Sequence, residues 1–330
     1  MKAIRIVRPG EPDVLELADV EAPVPGPGQV RVEVYGTALN RADLLQRRGA
    51  YPAPAGAPAD IPGLEFSGVV EDVGEGVDES AVGSWVMGIV GGGGYAEMLV
   101  TEESHVVPMP RGLKFVECAA VPEAFCTAYD ALVLQGGLRE GETVLIHAAG
   151  SGVGTAAIQI ARAFGASRVF GTASAGKLEA LEERGLPLDL PIDYRRKSFR
   201  DVIRRETDGK GVDLILDLVG ATYWTDNIAT LRTRGRIVLV GLIGGTMAQL
   251  NLGVLLRRRL RVIGTVMRSR TDSEKADLAE KARTELLPRF ESGELFPVVD
   301  RVFDLPEAAH AHSYMEENQN AGKVVLRVRA

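Results

Sequence analysis

The sequence predicts an α/β chain in which a doubly wound parallel sheet follows a smaller, mostly antiparallel β-region. Three observations predict it. Up to about residue 110, short apolar runs are separated by Gly-rich turns. From about residue 115, apolar strands alternate with helical stretches. One of those strands, residues 143–148, runs straight into a glycine-rich turn and an amphipathic helix. At 330 residues the chain is too long for one compact core and suits two domains.

In the first region Val30, Val32 and Val34 alternate with Arg31, Glu33 and Tyr35, the period of two of a half-buried strand. The runs KAIRIV, SGVVEDV, SWVMGIV and YAEMLV read as further strands, and residues 40–48 as one short helix. The Pro/Ala-rich residues 51–62 form a loop. A helical stretch, FVECAAVPEAFCTAYDALVLQ, then leads into the strands TVLIHA, SRVFGT, VDLILD, RIVLV and LRVIGTV. Strands apolar on both faces and spaced by helices belong to a parallel sheet covered on both sides. A long helix over 273–291, the strand VVDRVFDL, a helix over 306–317 and the strand GKVVLRV complete the chain. Pattern alone does not assign these last 60 or so residues to either domain.

Composition narrows the function. Thirty-eight basic against 45 acidic residues leave a net charge of −7, against the cationic face that non-specific nucleic-acid binding needs. No apolar run reaches the 18 or so residues of a membrane helix, and MKAIRIVRPGEP has no export-signal core. A cytoplasmic protein is expected. Two cysteines and four histidines exclude a disulfide scaffold and leave little for a thiolate-rich zinc site. Cys118 and Cys126 read as buried thiols. His310 and His312, two apart on a helix, point in different directions and read as surface or interface histidines. The basic run Arg257, Arg258, Arg259 and Arg261 reads as a solvated helix end.

The strongest chemical signal is TVLIHAAGSGVGTAAIQIARAFGA. Ala149, Gly150, Ser151, Gly152 and Gly154 let the backbone approach a pyrophosphate, and the following helix offers unpaired N–H groups and the positive end of its dipole. About 20 residues on, where NAD-specific folds place Asp or Glu for the ribose 2′-hydroxyl, stand Ser174 and Lys177. An ammonium and a hydroxyl bind a 2′-phosphate that a carboxylate would repel, so NADPH is expected over NADH. GTASAGKL imitates a phosphate loop, but Leu178 replaces the Ser or Thr that ligates magnesium. Ser151 does not lie in G-x-S-x-G, so a hydrolase is unsupported.

The segments ALNRADLLQRRGAY, GLEFSG, HAAGSGVGTAAIQ and NAGKVVL resemble the zinc-independent quinone oxidoreductases of the medium-chain dehydrogenase/reductase superfamily. NRADLLQRRGAY, LRTRGRIVLVGLIGG and MRSR resemble the tumour-suppressor-inducible type in particular. The likeness runs the length of the chain. It implies a GroES-like β-barrel catalytic domain, residues 1–123 and 269–330, around a Rossmann NADPH-binding domain, residues 124–268. Where zinc-dependent members carry Cys and His, this chain has Asn40 and Leu64, and the structural-zinc lobe is missing around IVGGGGYAE. No metal site is therefore expected.

By position, the resemblance implies that Ser151, Gly152, Val153 and Gly154 meet the pyrophosphate and that Ser174, Lys177 and Tyr194 surround the 2′-phosphate. Val219, Leu242, Met267, Arg268 and Ser269 would lie near the nicotinamide, Thr127 on its other side, with Asn320 and Lys323 closing over the cofactor. Asn40, Asp43 and Tyr51 would line a quinone pocket, although Asn40 also suits a helix cap and Asp43 an arginine partner. Ser151 stands where some relatives have Gly, and serine keeps the turn while adding a donor. The implied activity is NADPH-dependent quinone reduction by a homodimer joined near RVIGTV. An NADPH-dependent 2-alkenal or enone reductase and a low-turnover NADPH-binding sensor or structural protein are the alternatives.

Overall fold

In the computed structural model, which describes residues 1–329, the chain divides into two compact units. One is Met1–Cys126 together with the stretch from Met267 onward, and the other is Thr127–Val266.

The first unit begins with the hairpin β1 (Lys2–Ile6) and β2 (Leu15–Asp19). Its main sheet is then built on β3 (Gln29–Ala38), which pairs antiparallel with β4 (Glu65–Val73) and, further along the chain, with β6 (Met98–Glu102). Between β3 and β4 lie α1 (Arg41–Arg47) and the irregular loop expected around residue 51. The strands β5 (Trp85–Ile89) and β7 (Val106–Pro108) extend the sheet beyond β4. Val30, Val32 and Val34 are all buried, as their alternation requires, and pack with Phe66, Val70, Val86 and Leu99. The helical stretch from residue 115 is broken into α2 (Phe115–Cys118) and α3 (Pro122–Tyr129), because Pro122 supplies no N–H and opens a new helix.

The second unit is a six-stranded, all-parallel sheet. Its strands are β8 (Thr143–Ile146), β9 (Arg168–Ala173), β10 (Leu190–Asp193), β11 (Val212–Asp217), β12 (Leu231–Leu239) and β13 (Arg261–Gly264). In space they run β10-β9-β8-β11-β12-β13, the 3-2-1-4-5-6 order of a dinucleotide-binding fold. The helices α4 (Gly152–Ala163), α5 (Ala175–Glu183), α6 (Phe199–Glu206), α7 (Trp224–Thr230) and α8 (Leu252–Arg258) lie between them in the chain. Order reverses between β8 and β11, so the turn after β8 sits at the switch point where such sheets bind ligands. The strand β10 is not apparent in the sequence because Pro191 interrupts it; at the sheet edge the missing N–H costs little.

The chain then returns to the first unit. The stretch read as one helix over 273–291 is α9 (Asp272–Lys281), a wide π-type turn over Ala282–Leu286 and α10 (Leu287–Glu291). Pro288 cannot donate into a regular ladder, and the wide turn absorbs the break. After β14 (Val299–Asp304) and α11 (Ala308–Glu316), β15 (Lys323–Arg327) inserts between β14 and β3, antiparallel to β3. Among the described residues no helix is long and apolar enough to cross a membrane.

Candidate active site

In the first unit, Asn40, Asp43 and Lys323 share one hydrogen-bonded network with Glu65, while Tyr51 and Arg268 form a second, and the charges of the two act on one another. Asn40 ends the run out of β3 and opens α1. Its side chain does not cap the helix. The amide Nδ2 donates to Glu65 Oε1 at 2.9 Å, while Oδ1 accepts from Lys323 Nζ at 2.9 Å. Lys323 Nζ also donates to Leu39 O at 2.9 Å and to Glu65 Oε1 at 2.6 Å. All three ammonium donors are thus spent inside the first unit. It neutralises Glu65, which is wholly buried.

Asp43 is likewise committed to partners inside the first unit. Its wholly buried carboxylate accepts from the Asn40 N–H at 2.7 Å and the Gly63 N–H at 3.1 Å, fixing the start of α1 to the turn before β4. Burial pushes its carboxyl up to about 6. Behind it runs a chain that the sequence did not suggest. The Tyr95 hydroxyl donates to Asp43 at 3.4 Å, His312 Nε2 lies 3.2 Å from that hydroxyl, and Arg47 donates to His312 Nδ1 at 3.3 Å. Arg47 in turn pairs with Glu316. His312 is therefore not a surface histidine. It is fully buried, and burial, helped by the Arg47 charge, pulls its imidazole down to about 3. His310 is exposed.

Arg268 is buried and clamps the Tyr51 loop. Nε donates to Gly91 O at 2.9 Å, one terminal nitrogen to Tyr51 O at 3.1 Å and the other to Gln46 Oε1 at 2.6 Å, with the guanidinium 5.1 Å from the centre of the Tyr51 ring. The Tyr51 ring is half-buried and its hydroxyl has no hydrogen bond within the described residues. Burial raises its pKa. Met267 is buried beside Arg268, Ser269 is exposed, and Asn320 turns its amide onto Gly322 O at 2.8 Å. The cluster contains one residue not singled out from sequence. The backbone N–H of Glu123, at the start of α3, donates to Glu65 Oε2 at 2.8 Å, and burial next to Glu65 pushes the Glu123 carboxyl up to about 8. A lone Glu in the first turn of a helix carries no sequence signal beyond a favourable dipole position.

The second unit holds the phosphate turn. Ser151 caps α4 by accepting the Gly154 N–H at 3.0 Å, leaving the Gly152 and Val153 N–H groups without partners among the described residues. A Cβ on Gly154 would lie 2.4 Å from Ala148 O, and one on Gly150 2.9 Å from the Lys177 Cβ. The glycines thus let strand, turn and helix pack closely, with the Lys177 stem against Gly150. A helix N-terminus with two open N–H donors fits a dinucleotide pyrophosphate. Ser174 opens α5 and Tyr194, which is 40% exposed, hydrogen-bonds through its N–H to Ala173 O, so both stand at the end of β9. Val219 and Leu242 stand together: Gly244 N–H bonds Val219 O at 2.7 Å, and a Cβ on Gly220 would come within 2.8 Å of Leu242. Thr127 is buried on α3. Beneath the turn, Asp217 accepts from the Val219 and Gly220 N–H groups and from Asn227, whose Oδ1 lies 2.6 Å from His147 Nε2.

Zinc does not fit. Asn40 is committed through both side-chain ends, Leu64 is apolar, and no three His, Cys, Asp or Glu side chains are grouped as ligands among the described residues.

Residues 26–111 match the Alcohol dehydrogenase GroES-like domain family, and residues 186–326 the Zinc-binding dehydrogenase family. The synaptic vesicle membrane protein VAT-1 homolog of Rattus norvegicus is 34% identical over 318 residues, covering 92% of this chain and 78% of its own. A quinone oxidoreductase of Pseudomonas aeruginosa is 34% identical over 330 residues, covering 98% and 99%. Among solved structures, an NAD-dependent alcohol dehydrogenase superposes with a TM-score of 0.87 at 36% identity, covering 99% and 100%. The JamJ enoyl reductase in its apo form does so at 0.87 and 28%, covering 99% and 98%. With the GroES-like sheet, the switch-point phosphate turn and these relatives in agreement, the chain belongs to the medium-chain dehydrogenase/reductase superfamily, as a nicotinamide-binding oxidoreductase of the zinc-independent quinone oxidoreductase type.

Proposed function

We propose that this protein reduces quinones with NADPH. The observation that carries the reading is the Tyr51 hydroxyl, which makes no hydrogen bond among the described residues, while Arg268 holds the Tyr51 carbonyl and ring and ties them to Gly91 and to Gln46 on α1. A quinone accepts hydride without Lewis-acid help, so the protein need only orient it and supply donors to the forming oxyanion. The reduced nicotinamide, when bound, supplies that hydride. The Gly152 and Val153 N–H groups hold the pyrophosphate. Lys177, Ser174 and Tyr194 hold the 2′-phosphate. Thr127, Val219 and Leu242 flank the nicotinamide, and Asn40, locked between Lys323 and Glu65, presents a fixed wall to the acceptor.

The test is a steady-state acceptor screen with NADPH and NADH side by side, using 1,4-benzoquinone and ortho-quinones. Tight NADPH binding with no acceptor driving its oxidation overturns the enzyme reading. Lys177→Ala is expected to weaken NADPH at least tenfold more than NADH, measured by quenching of the reduced nicotinamide's fluorescence. Equal losses would remove the 2′-phosphate assignment. The likeness to JamJ enoyl reductase supports a second reading, reduction of an enone, which the same screen checks with an α,β-unsaturated ketone. We also propose that two copies pair along β13. It is the outer strand of its sheet, and Val262 on it is 39% exposed.

A further inference from the structure

We propose that Glu123 is the proton donor of the reduction, a neutral carboxylic acid that protonates the oxygen left negative on the acceptor. This inference rests on the reductase reading above. Three observations carry it.

The first is the hydrogen-bond pattern. Glu123 Oε2 is buried and has no partner, and its carboxyl makes no hydrogen bond among the described residues. An ionised carboxylate so placed would be costly, whereas a protonated one keeps an O–H to give away. The second is the charge count. The groups that act on Glu123 are Glu65, Asp43, Lys323 and Arg268, with Tyr51 sharing the cluster. Glu65 and Asp43 balance Lys323 and Arg268, so a third carboxylate is the unmatched one and holds its proton near neutral pH. The third is commitment. The ammonium of Lys323 is saturated, the Asp43 carboxylate is locked onto backbone N–H groups, and Arg268 holds the loop. Glu123 and the Tyr51 hydroxyl are the cluster's uncommitted groups, and Glu123 is by far the stronger acid.

The balance is simple. The acceptor gains a hydride with its electron pair from the reduced nicotinamide. The O–H bond of Glu123 then breaks as the acceptor's O–H bond forms, giving the hydroquinone, and water returns a proton to the carboxylate. An acid poised close to the working pH is suited to this transfer.

The test compares the wild type with Glu123→Gln and Glu123→Asp, with folding checked by circular dichroism. Glutamine keeps the shape and can donate a hydrogen bond but cannot release a proton. We expect Glu123→Gln to lower kcat for 1,4-benzoquinone with NADPH at least tenfold, with KM changed less than threefold and the alkaline fall of kcat lost. Glu123→Asp should retain part of kcat and that alkaline limb. In the protein without cofactor, infrared difference spectra should show a protonated-carboxyl C=O band at pH 7 that is missing in Glu123→Gln and titrates away near pH 8. Unchanged kcat and pH profile in Glu123→Gln, or no such band in the wild type, overturns the proposal. Because the band is read without any acceptor, a wild type that oxidises NADPH with no quinone removes the quinone reading, while the band still decides whether Glu123 is a neutral acid.

Discussion

At the scale of single residues, Lys323 decides most. Its ammonium and the Glu65 carboxylate form a buried pair 2.6 Å apart, and removing one partner of such a pair leaves an uncompensated charge. Lys323→Met is expected to destabilise the protein by about 3–5 kcal/mol, read from urea denaturation. Adding Glu65→Gln should restore a large part of that loss, and a single variant within 1 kcal/mol of wild type would sink this assignment. These partners lie 258 residues apart in sequence, so their pairing was not legible from it. The same distance problem hid His312, whose partners Arg47 and Tyr95 come from the other end of the chain. The family resemblance did single out Asn40, Asp43 and Lys323 as neighbours of a site. It did not show that two of them act as internal supports, because motif position carries no information on which way a side chain turns.

At the scale of elements, the strand–turn–helix of β8 and α4 was the most legible feature, since its glycines, strand and helix are contiguous. What the structure adds is the reason for Gly150 and Gly154. A methyl on Gly154 would collide with the Ala148 carbonyl at 2.4 Å, a backbone atom that cannot step aside cheaply. Gly154→Ala is therefore expected to weaken nicotinamide cofactor binding at least tenfold and to destabilise the fold by about 1–3 kcal/mol, checked by fluorescence titration and thermal unfolding. Unaltered binding would show that the turn has another conformation available. Less legible were the elements whose partners are remote. Strand β10 carries a proline that only an edge position excuses, and the 273–291 helix widens where Pro288 removes a donor. Edge position also bears on β13. The proposed pairing predicts a dimer for the wild type and a monomer for Val262→Lys in sedimentation velocity; an unshifted boundary would reject pairing along that strand.

At the scale of the whole molecule, Asp43, His312 and Glu123 contribute to the pH dependence of stability, and their windows overlap below pH 6.5 but not above it. Asp43 titrates near 6 when folded against 3.8 unfolded, so its stabilising proton is lost as pH rises between those values. His312 has the opposite sign. With its folded value near 3 and unfolded value 6.5, it stabilises above 6.5 and loses that contribution as pH falls. Glu123 is stabilising below 4.5 and loses its contribution as pH climbs to about 8. From pH 6.5 to 8 Glu123 alone among the three is still titrating, and stability should fall by about 2 kcal/mol at about 1.4 kcal/mol per unit. Urea midpoints across that interval should decline in the wild type and stay level in Glu123→Gln; parallel slopes would rule out Glu123 as the cause.

The insertion of β15 between β14 and β3 also bears on how the polypeptide matures as it emerges from the ribosome. Synthesis delivers β3, Glu65 and the Tyr51 loop early, yet Arg268 and Lys323 leave the exit tunnel long afterwards. In the interval the nucleotide-binding unit has its whole sequence available, while in the first unit the end of β3, Gly36–Ala38, lacks its β15 partner and Glu65 lacks its counter-ion. Nascent chains halted before residue 323 should accordingly be the ones that chaperones hold, and the arrival of β15 is the event that completes the buried Glu65–Lys323 pair.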